Sequence, residues 1–292
     1  MNTTVSAGNY SILLTFDVED WFQVENFKSS ISRDTWNTCE LRVRDNSVKI
    51  LDLLDGFGFR PRATFFVLGW VARRVPQLVR EIASRGHEVA SHGYNHELCH
   101  SSPSDALLKD LAYSKSLLED ILGAEVIGYR APSFSISGQA LGLVKRAGYR
   151  YDASFNSFAG HGRYGHLDLS EAPKHRGIFR VAPDFFEIPV SNLSLGNRVF
   201  PLGGGGYFRL FPFQLFKHGM SAVLKKEKAF VFYAHPWEFD PGQPRVRQAP
   251  PGFRFRHYVN LNRMETKMKA LVDRFSHATF STCRAHIENF PT

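Results

Sequence analysis

Five apolar, β-prone runs of this chain end abruptly in ionisable side chains. Asp17, Glu19 and Asp20 follow ILLTF, His92 and His96 follow EVAS, Arg130 follows VIGY, Asp152 follows YRY, and His235 follows FVFYA. His92 and His96 stand four residues apart. If the chain turns helically after its strand, both imidazoles face one side, as two ligands of a single metal must. A His pair alone is more often a surface or satisfied-core pair. The nearby carboxylates reverse that balance, because two imidazoles and one carboxylate leave an open position for water, as in hydrolytic metal sites.

Neighbouring carboxylates can also divide acid and base work, one holding metal while Asp17 stays free to take a proton. The bland alternative is that residues 17–20 only cap a turn before Trp21 and Phe22. Arg130 could hold Asp17 ionised through a bidentate pair, or form a purely structural salt bridge. His235, fixed between Ala234 and Pro236, is the candidate general acid, with Asp152 as its orienting partner; without Asp152 a plain core histidine would be an even alternative. His87 and His100 are set aside, the first opening a strand and the second lying in the approach to a helix.

Other chemistries find little support. No Ser or Cys occupies a G-x-S-x-G elbow. Gly203 to Gly206 lack a following Lys-Ser or Lys-Thr and do not read as opening a helix after a strand, so they suggest a loop around substrate, or a plain flexible one, rather than a phosphate cradle.

The elements that must position these residues alternate between strand and helix. SILLTFD precedes SVKILDLLDGFG, ATFFVLG precedes VPQLVREIASRG, and HEVASHG precedes a longer helix. That helix carries a stripe of Leu107, Leu108, Leu111, Leu118 and Ile121; Ser102 can cap it, with Pro103 at its first position, and Gly123 ends it. VIGYRAP, a helix near 139–147, YRYDAS, FFEIPVS, a helix near 213–226, AFVFYAHPWE and a last helix near 261–275 continue the series. Seven or eight strands in one α/β domain predict a closed or nearly closed barrel, whose C-terminal strand ends open on one face where active sites are built. Residues 155–211 read instead as long loops with short strands.

The last helix places Leu261, Met264, Met268, Leu271, Val272 and Phe275 at steps of three and four, predicting one face packed on the barrel. Arg263, Lys267, Lys269 and Arg274 would then point outward. With Arg254 and Arg256 they could dock an anionic polymer, a lipid-linked sugar or a membrane surface, or serve as a merely solvated face.

Composition bounds these readings. With 292 residues, 43% hydrophobic and 22% charged, the chain is neither a disulfide mini-protein nor a collagen nor a disordered tail. A net charge of +8, spread along the chain, favours an anionic partner only weakly, and nucleic acid is not among the partners expected. Cys39, Cys99 and Cys283 are odd in number and lack C-x-x-C spacing, which fits reduced thiols. The first residues carry no basic segment, their apolar run is cut by Asp17, and no run approaches the roughly 18 apolar residues of a membrane span, so a cytoplasmic protein is expected.

TFDVED, ATFFVLG, SHGYNH, YRAPSFS, YDAS and HPWE, in this order and at these intervals, resemble the polysaccharide deacetylases of carbohydrate esterase family 4, whose shared region is the NodB homology domain. DVEDWF, PLGGGGYFRLFP and FRHYVNL look like the branch encoded with bacterial exopolysaccharide and exosortase (PEP-CTERM) loci. The resemblance implies a distorted (β/α)7 barrel over 11–240, a C-terminal helical extension over 241–292 packed on it, and metal-dependent removal of N-acetyl groups from an amino sugar, releasing acetate.

It puts Asp17 on the catalytic base, His92 and His96 on metal ligands, Arg130 on the residue holding the base, Asp152 on the tuner of the acid and His235 on the acid. Val18 stands where the family usually has a second aspartate, so the third ligand falls to Asp20, with Glu19 as the alternative. Tyr233 replaces the usual leucine before the acid. Zinc is the expected metal, with cobalt, nickel or iron also suited to such a site. The rival readings are an allantoinase-like hydrolase of another amide and a non-catalytic sugar-binding subunit of an export complex.

Overall fold

Strand parity organises the molecule. A computed structural model describes residues 10–158, 162 and 164–291. Its elements in chain order are β1 (Ser11–Val18), α1 (Val43–Asp55), β2 (Ala63–Val67), α2 (Gly69–Arg74), α3 (Pro76–Ser84), β3 (Glu88–Ser91), α4 (Ser104–Leu122), β4 (Gly128–Tyr129), α5 (Gly138–Arg146) and β5 (Tyr151–Asp152). There follow β6 (Lys174–His175), β7 (Ile178–Ala182), β8 (Phe185–Glu187), β9 (Asn192–Leu195), β10 (Arg198–Pro201), α6 (Gly205–Leu210), α7 (Phe213–Glu227) and β11 (Ala229–Ala234). The chain ends with α8 (Pro251–Tyr258), α9 (Met264–Arg274), β12 (Thr279–Phe280) and α10 (Cys283–Glu288).

Seven strands run parallel in the order β11-β1-β2-β3-β4-β5-β8, and the antiparallel pair β7 and β6 extends the sheet beyond β8. No continuous ladder joins β8 to β11 among the described residues. Single main-chain bonds bridge that gap, Ser191 N–H donating to the Val231 carbonyl at 3.3 Å and Tyr233 N–H to the Gly203 carbonyl at 2.8 Å. The result is the mixed α/β architecture that the alternation predicts, with the barrel distorted as the family resemblance implies.

Successive side chains of a strand face opposite ways. In β1, Ile12, Leu14, Phe16 and Val18 join the large outer core beneath the helices, whereas Leu13 joins an inner cluster with Phe66, Ala90, Tyr151, Phe186 and Val231. Cys283 and Ile287 of α10 complete that inner cluster near the strand starts. Full burial of side chains such as Phe16, Phe65 and Phe66 contributes roughly 1.5–3 kcal/mol each, enough for the two clusters to fix which face of each strand looks inward.

Two local expectations shift. Helix α4 starts at Ser104 with Pro103 before it, and the Ser102 hydroxyl donates to the Leu98 carbonyl at 3.1 Å instead of capping. The glycine run does open a helix after a strand, since α6 begins at Gly205, shortly after β10. It packs closely: a β-carbon on Gly203 would lie 2.7 Å from the carbonyl oxygens of both Ser191 and Val231. Tertiary approach, not loop flexibility, therefore accounts for that glycine.

In the C-terminal stretch, β12 pairs in parallel with the start of β1, and Met264, Met268, Leu271, Val272 and Phe275 are buried. Arg263, Lys269 and Arg274 are exposed, but Lys267 is not outward as expected. Its ammonium donates to the carbonyls of Phe208 and Phe211 at 2.5 and 2.6 Å, satisfying the orphan C-terminal carbonyls of α6.

Candidate metal centre with flanking acid and base

Parity carries through the strand ends into the site. Thr15 and Asp17 follow Leu13 inward, and one further step of two brings Glu19 to the same side. Ala229, Val231, Tyr233 and His235 form the matching series on β11. An open cleft of about 750 Å³ is lined by Asp17, Glu19, His92, His96 and His235 among others.

Glu19, His92 and His96 offer ligand atoms within 4.8 Å of one another, and all three residues are buried. Asp20, expected as the third ligand, is not in this group. Its Oδ1 accepts the Trp21 N–H at 2.8 Å and its Oδ2 accepts those of Arg42 and Val43 at 2.7 and 2.8 Å. The carboxylate thus fastens the loop to the N-terminus of α1, where a negative charge is favoured by the helix dipole. The alternative, Glu19, is the carboxylate beside the histidines.

The two histidines do not converge through a helical turn either. The chain leaves β3 in an irregular path, and His96 takes a left-handed φ of 56° that brings the two rings to 5.4 Å. A bulky residue in that region bears strain, of a kind that collects at functional sites.

The donor set suits a divalent cation. His92 Nδ1–H donates to the Arg130 carbonyl at 2.8 Å, which leaves its Nε2 lone pair free, the usual support of a metal-bound imidazole. Burial pushes His92 down to about 4, so the ring is neutral. Glu19 Oε2 is buried with no aligned hydrogen-bond donor, although His96 Nε2 lies 2.7 Å away. Burial raises the Glu19 carboxyl, but the charge of and contact with His96, followed by the charge of His235, outweigh it and hold the group at about 2. Two nitrogens and one anionic oxygen suit zinc and its first-row neighbours.

The flanking groups are tethered differently. Asp17 Oδ1 receives Arg130 Nη1 at 2.7 Å; the same nitrogen reaches Thr15 Oγ1 at 2.8 Å, and Arg130 Nε donates to the Ala153 carbonyl at 2.9 Å. The pair is thus fixed, though through one nitrogen rather than the bidentate fork expected. His235 Nε2 lies 3.9 Å from Asp17 Oδ2 and 3.6 Å from Glu19 Oε1. Burial disfavours its charged form, yet the hydrogen bond to Glu238 and the charges of Glu19, Glu238 and Asp17 raise it to about 9.

Asp152 does not orient His235. Its neighbours Tyr151 and Ala153 face the inner cluster, so Asp152 is out of phase with the cleft. Its Oδ1 and Oδ2 accept the Ser154 hydroxyl and N–H at 2.7 and 3.1 Å. Burial pushes both Asp152 and its hydrogen-bonded neighbour Glu187 up. The partner of His235 Nδ1 is instead Glu238 Oε1 at 2.9 Å.

The residue reading passed over Glu238, Arg209, Trp237 and His257. Trp237 stacks on His235 at 5.0 Å and on His257 at 4.0 Å, and donates to Glu19 Oε1 at 3.2 Å. The His-x-x-Glu spacing of HPWE, three residues apart at a turn, was the available signal for Glu238. Arg209 and His257 lie in the PLGGGGYFRLFP and FRHYVNL stretches, whose residues carried no role in that reading. The Tyr94 N–H is spent on Asp110 Oδ1 at 3.0 Å, whereas Ser133, at a left-handed φ of 51°, lines the cleft. Tyr233 also lines it, 4.7 Å from the Phe134 ring.

With fold and site in view, the comparisons place the chain. The sequence profile of the polysaccharide deacetylases matches residues 5–151, half of the chain, and that of a domain of unknown function (DUF3473) matches residues 153–285. The chain belongs to the polysaccharide deacetylase family. It is 31% identical over 102 residues to a peptidoglycan-N-acetylglucosamine deacetylase of Bacillus cereus, covering 35% of this chain and 46% of that protein. It is 31% identical over 108 residues to the peptidoglycan deacetylase-like protein FGM2 of Gibberella zeae, covering 37% and 32%. To a chitooligosaccharide deacetylase of Azorhizobium caulinodans it is 28% identical over 89 residues, covering 30% and 42%. The chain thus spans less than half the length of these curated relatives.

Among solved structures, a Mycobacterium smegmatis protein assigned to the polysaccharide deacetylases aligns over 99% of this chain and 92% of its own, with a TM-score of 0.62 and 19% identity. A peptidoglycan N-acetylglucosamine deacetylase aligns over 96% and 90%, with a TM-score of 0.51 and 16% identity. These two likenesses establish the fold. Among the described residues no helix is long and apolar enough to cross a membrane.

Proposed function

We propose that this chain is a metal-dependent hydrolase that removes N-acetyl groups from an amino sugar of an exopolysaccharide or its precursor, releasing acetate. One observation carries the reading: the Glu19, His92 and His96 donors share one cleft with a carboxylate tethered by arginine and an imidazole tethered by carboxylate. Relatives named for peptidoglycan and chitooligosaccharide deacetylation support the substrate class.

Glu19, His92 and His96 would hold a divalent cation, zinc in the first instance, which when bound would supply Lewis acidity toward the amide carbonyl and the attacking water. Asp17, held in place by Arg130, takes the proton of the attacking water at Oδ2. The carbon–nitrogen bond then breaks as His235 gives its Nε2 proton to the departing amine. Two groups with opposite tasks are thus set on one cleft, each held by its own partner. The test is acetate release from a panel of N-acetylated saccharides by protein of known metal content. Release that requires stoichiometric metal supports the reading, and metal-replete protein that frees no acetate from any of them refutes it.

A further inference from the structure

We propose that Glu238, braced by Arg209, is the positioning residue for His235, so that the segment matching a domain of unknown function builds the acid half of the site; this rests on the deacetylase reading above. Glu238 Oε1 accepts both His235 Nδ1–H at 2.9 Å and the His235 main-chain N–H at 3.1 Å. Ring and backbone are therefore held by one oxygen, and the proton on Nδ1 leaves Nε2 turned toward Asp17 and Glu19. A carboxylate on one ring nitrogen fixes the tautomer and direction of the other.

Glu238 Oε2 is held in turn by Arg209 Nε at 2.8 Å, and both side chains are 1% exposed. The rest of the guanidinium is tied to main chain, Nη1 donating to the Val259 carbonyl and Nη2 to that of Arg256 at 3.1 Å. A buried ion pair repays its desolvation only when its remaining hydrogen bonds are made, as they are here. The cradle is also sterically set. A β-carbon on Gly205 would lie 2.4 and 2.5 Å from the two Glu238 oxygens, so α6 closes on the carboxylate with no room to spare. Arg209, Gly205, Glu238, Arg256 and Val259 all belong to the segment 153–285.

The experiment pairs two acetyl donors. An N-acetylglucosamine oligomer needs its amine protonated on leaving, whereas p-nitrophenyl acetate releases a phenolate that does not. Glu238→Gln removes the carboxylate, and Gly205→Ala displaces it while removing no polar group. Each is expected to lower kcat on the amide by about 10²–10⁴, with KM and bound metal within about twofold of wild type, and to lower ester hydrolysis less than about tenfold. Asp152→Asn is expected to show no such split. In metal-free protein, NMR of the His235 ring should give a Nδ1–H signal in wild type and Asp152→Asn that Glu238→Gln abolishes. Wild-type amide-to-ester ratios in Glu238→Gln, or a split produced by Asp152→Asn, would overturn the proposal. If wild type frees no acetate, the deacetylase reading fails, and the NMR signal still decides the positioning: its survival in Glu238→Gln overturns it.

Discussion

At the scale of single residues, neighbouring carboxylates with different partners have separable roles. Asp17 is fixed by Arg130 rather than grouped with the three ligand atoms, so Asp17→Asn should keep stoichiometric metal and lose about 10²–10⁴ in turnover, as removal of a general base does. Normal activity at saturating metal would remove Asp17 from that role. Glu19→Gln should lose metal, because two imidazoles alone hold it poorly. Asp20→Asn should retain metal and lower stability by about 1–2 kcal/mol through weaker bonds to Trp21, Arg42 and Val43, measured by denaturant melts. The reverse pattern would restore Asp20 as the ligand.

His235 gives a pH signature in metal-free protein. Its value is raised in the fold from 6.5 to about 9, so its charged form stabilises the fold, fully below 6.5 and progressively less as pH rises through 9. The stability gap between wild type and His235→Gln should therefore shrink between about pH 6 and 10, by at most about 3 kcal/mol. A gap constant over that range would contradict this.

At the scale of elements, the glycine run separates a steric requirement from a preference. Gly203→Ala would drive a β-carbon to 2.7 Å from two main-chain oxygens at the join between β8 and β11, and should cost several kcal/mol. Gly206→Ala meets nothing within 4 Å inside α6 and should be neutral or stabilising by about 0.5–1 kcal/mol, since alanine is the better helix former. Thermal melts of the two variants test this, and equal melting temperatures would show that the join tolerates movement.

At the scale of the whole molecule, the C-terminal stretch is built into the barrel. Strand β12 pairs with β1, α10 fills the inner cluster, and α8 anchors Arg209 behind Glu238. The basic face of α9 is divided accordingly. Lys267→Gln should cost about 1–2 kcal/mol by releasing the α6 carbonyls, while Arg263→Gln, Lys269→Gln and Arg274→Gln should each lie within about 0.5 kcal/mol of wild type. Chemical denaturation of the four variants distinguishes them. A neutral Lys267→Gln would return that lysine to the solvated face.

The sequence by itself determined the alternation of strand and helix, the one-sided gathering of ionisable strand ends and the placement of Asp17, His92, His96 and His235 at one cleft. These follow from local periodicity, and a period of two is legible wherever a strand is long enough to display it. The third ligand was not determined there, because Asp20 is the residue expected from the sequence, and Glu19 stands beside the histidines only once the chain has turned past Asp17. Only the tertiary structure decided the left-handed turn at His96, the spending of Asp20 on the start of α1, and the pairing of Glu238 with Arg209, residues 29 apart in the chain. Strands as short as β4 and β5 display too little periodicity to phase Asp152, and a partner brought in by another element leaves no local trace. Which buried polar groups meet depends on how the helices close over the barrel, and that is settled by packing summed over the whole core.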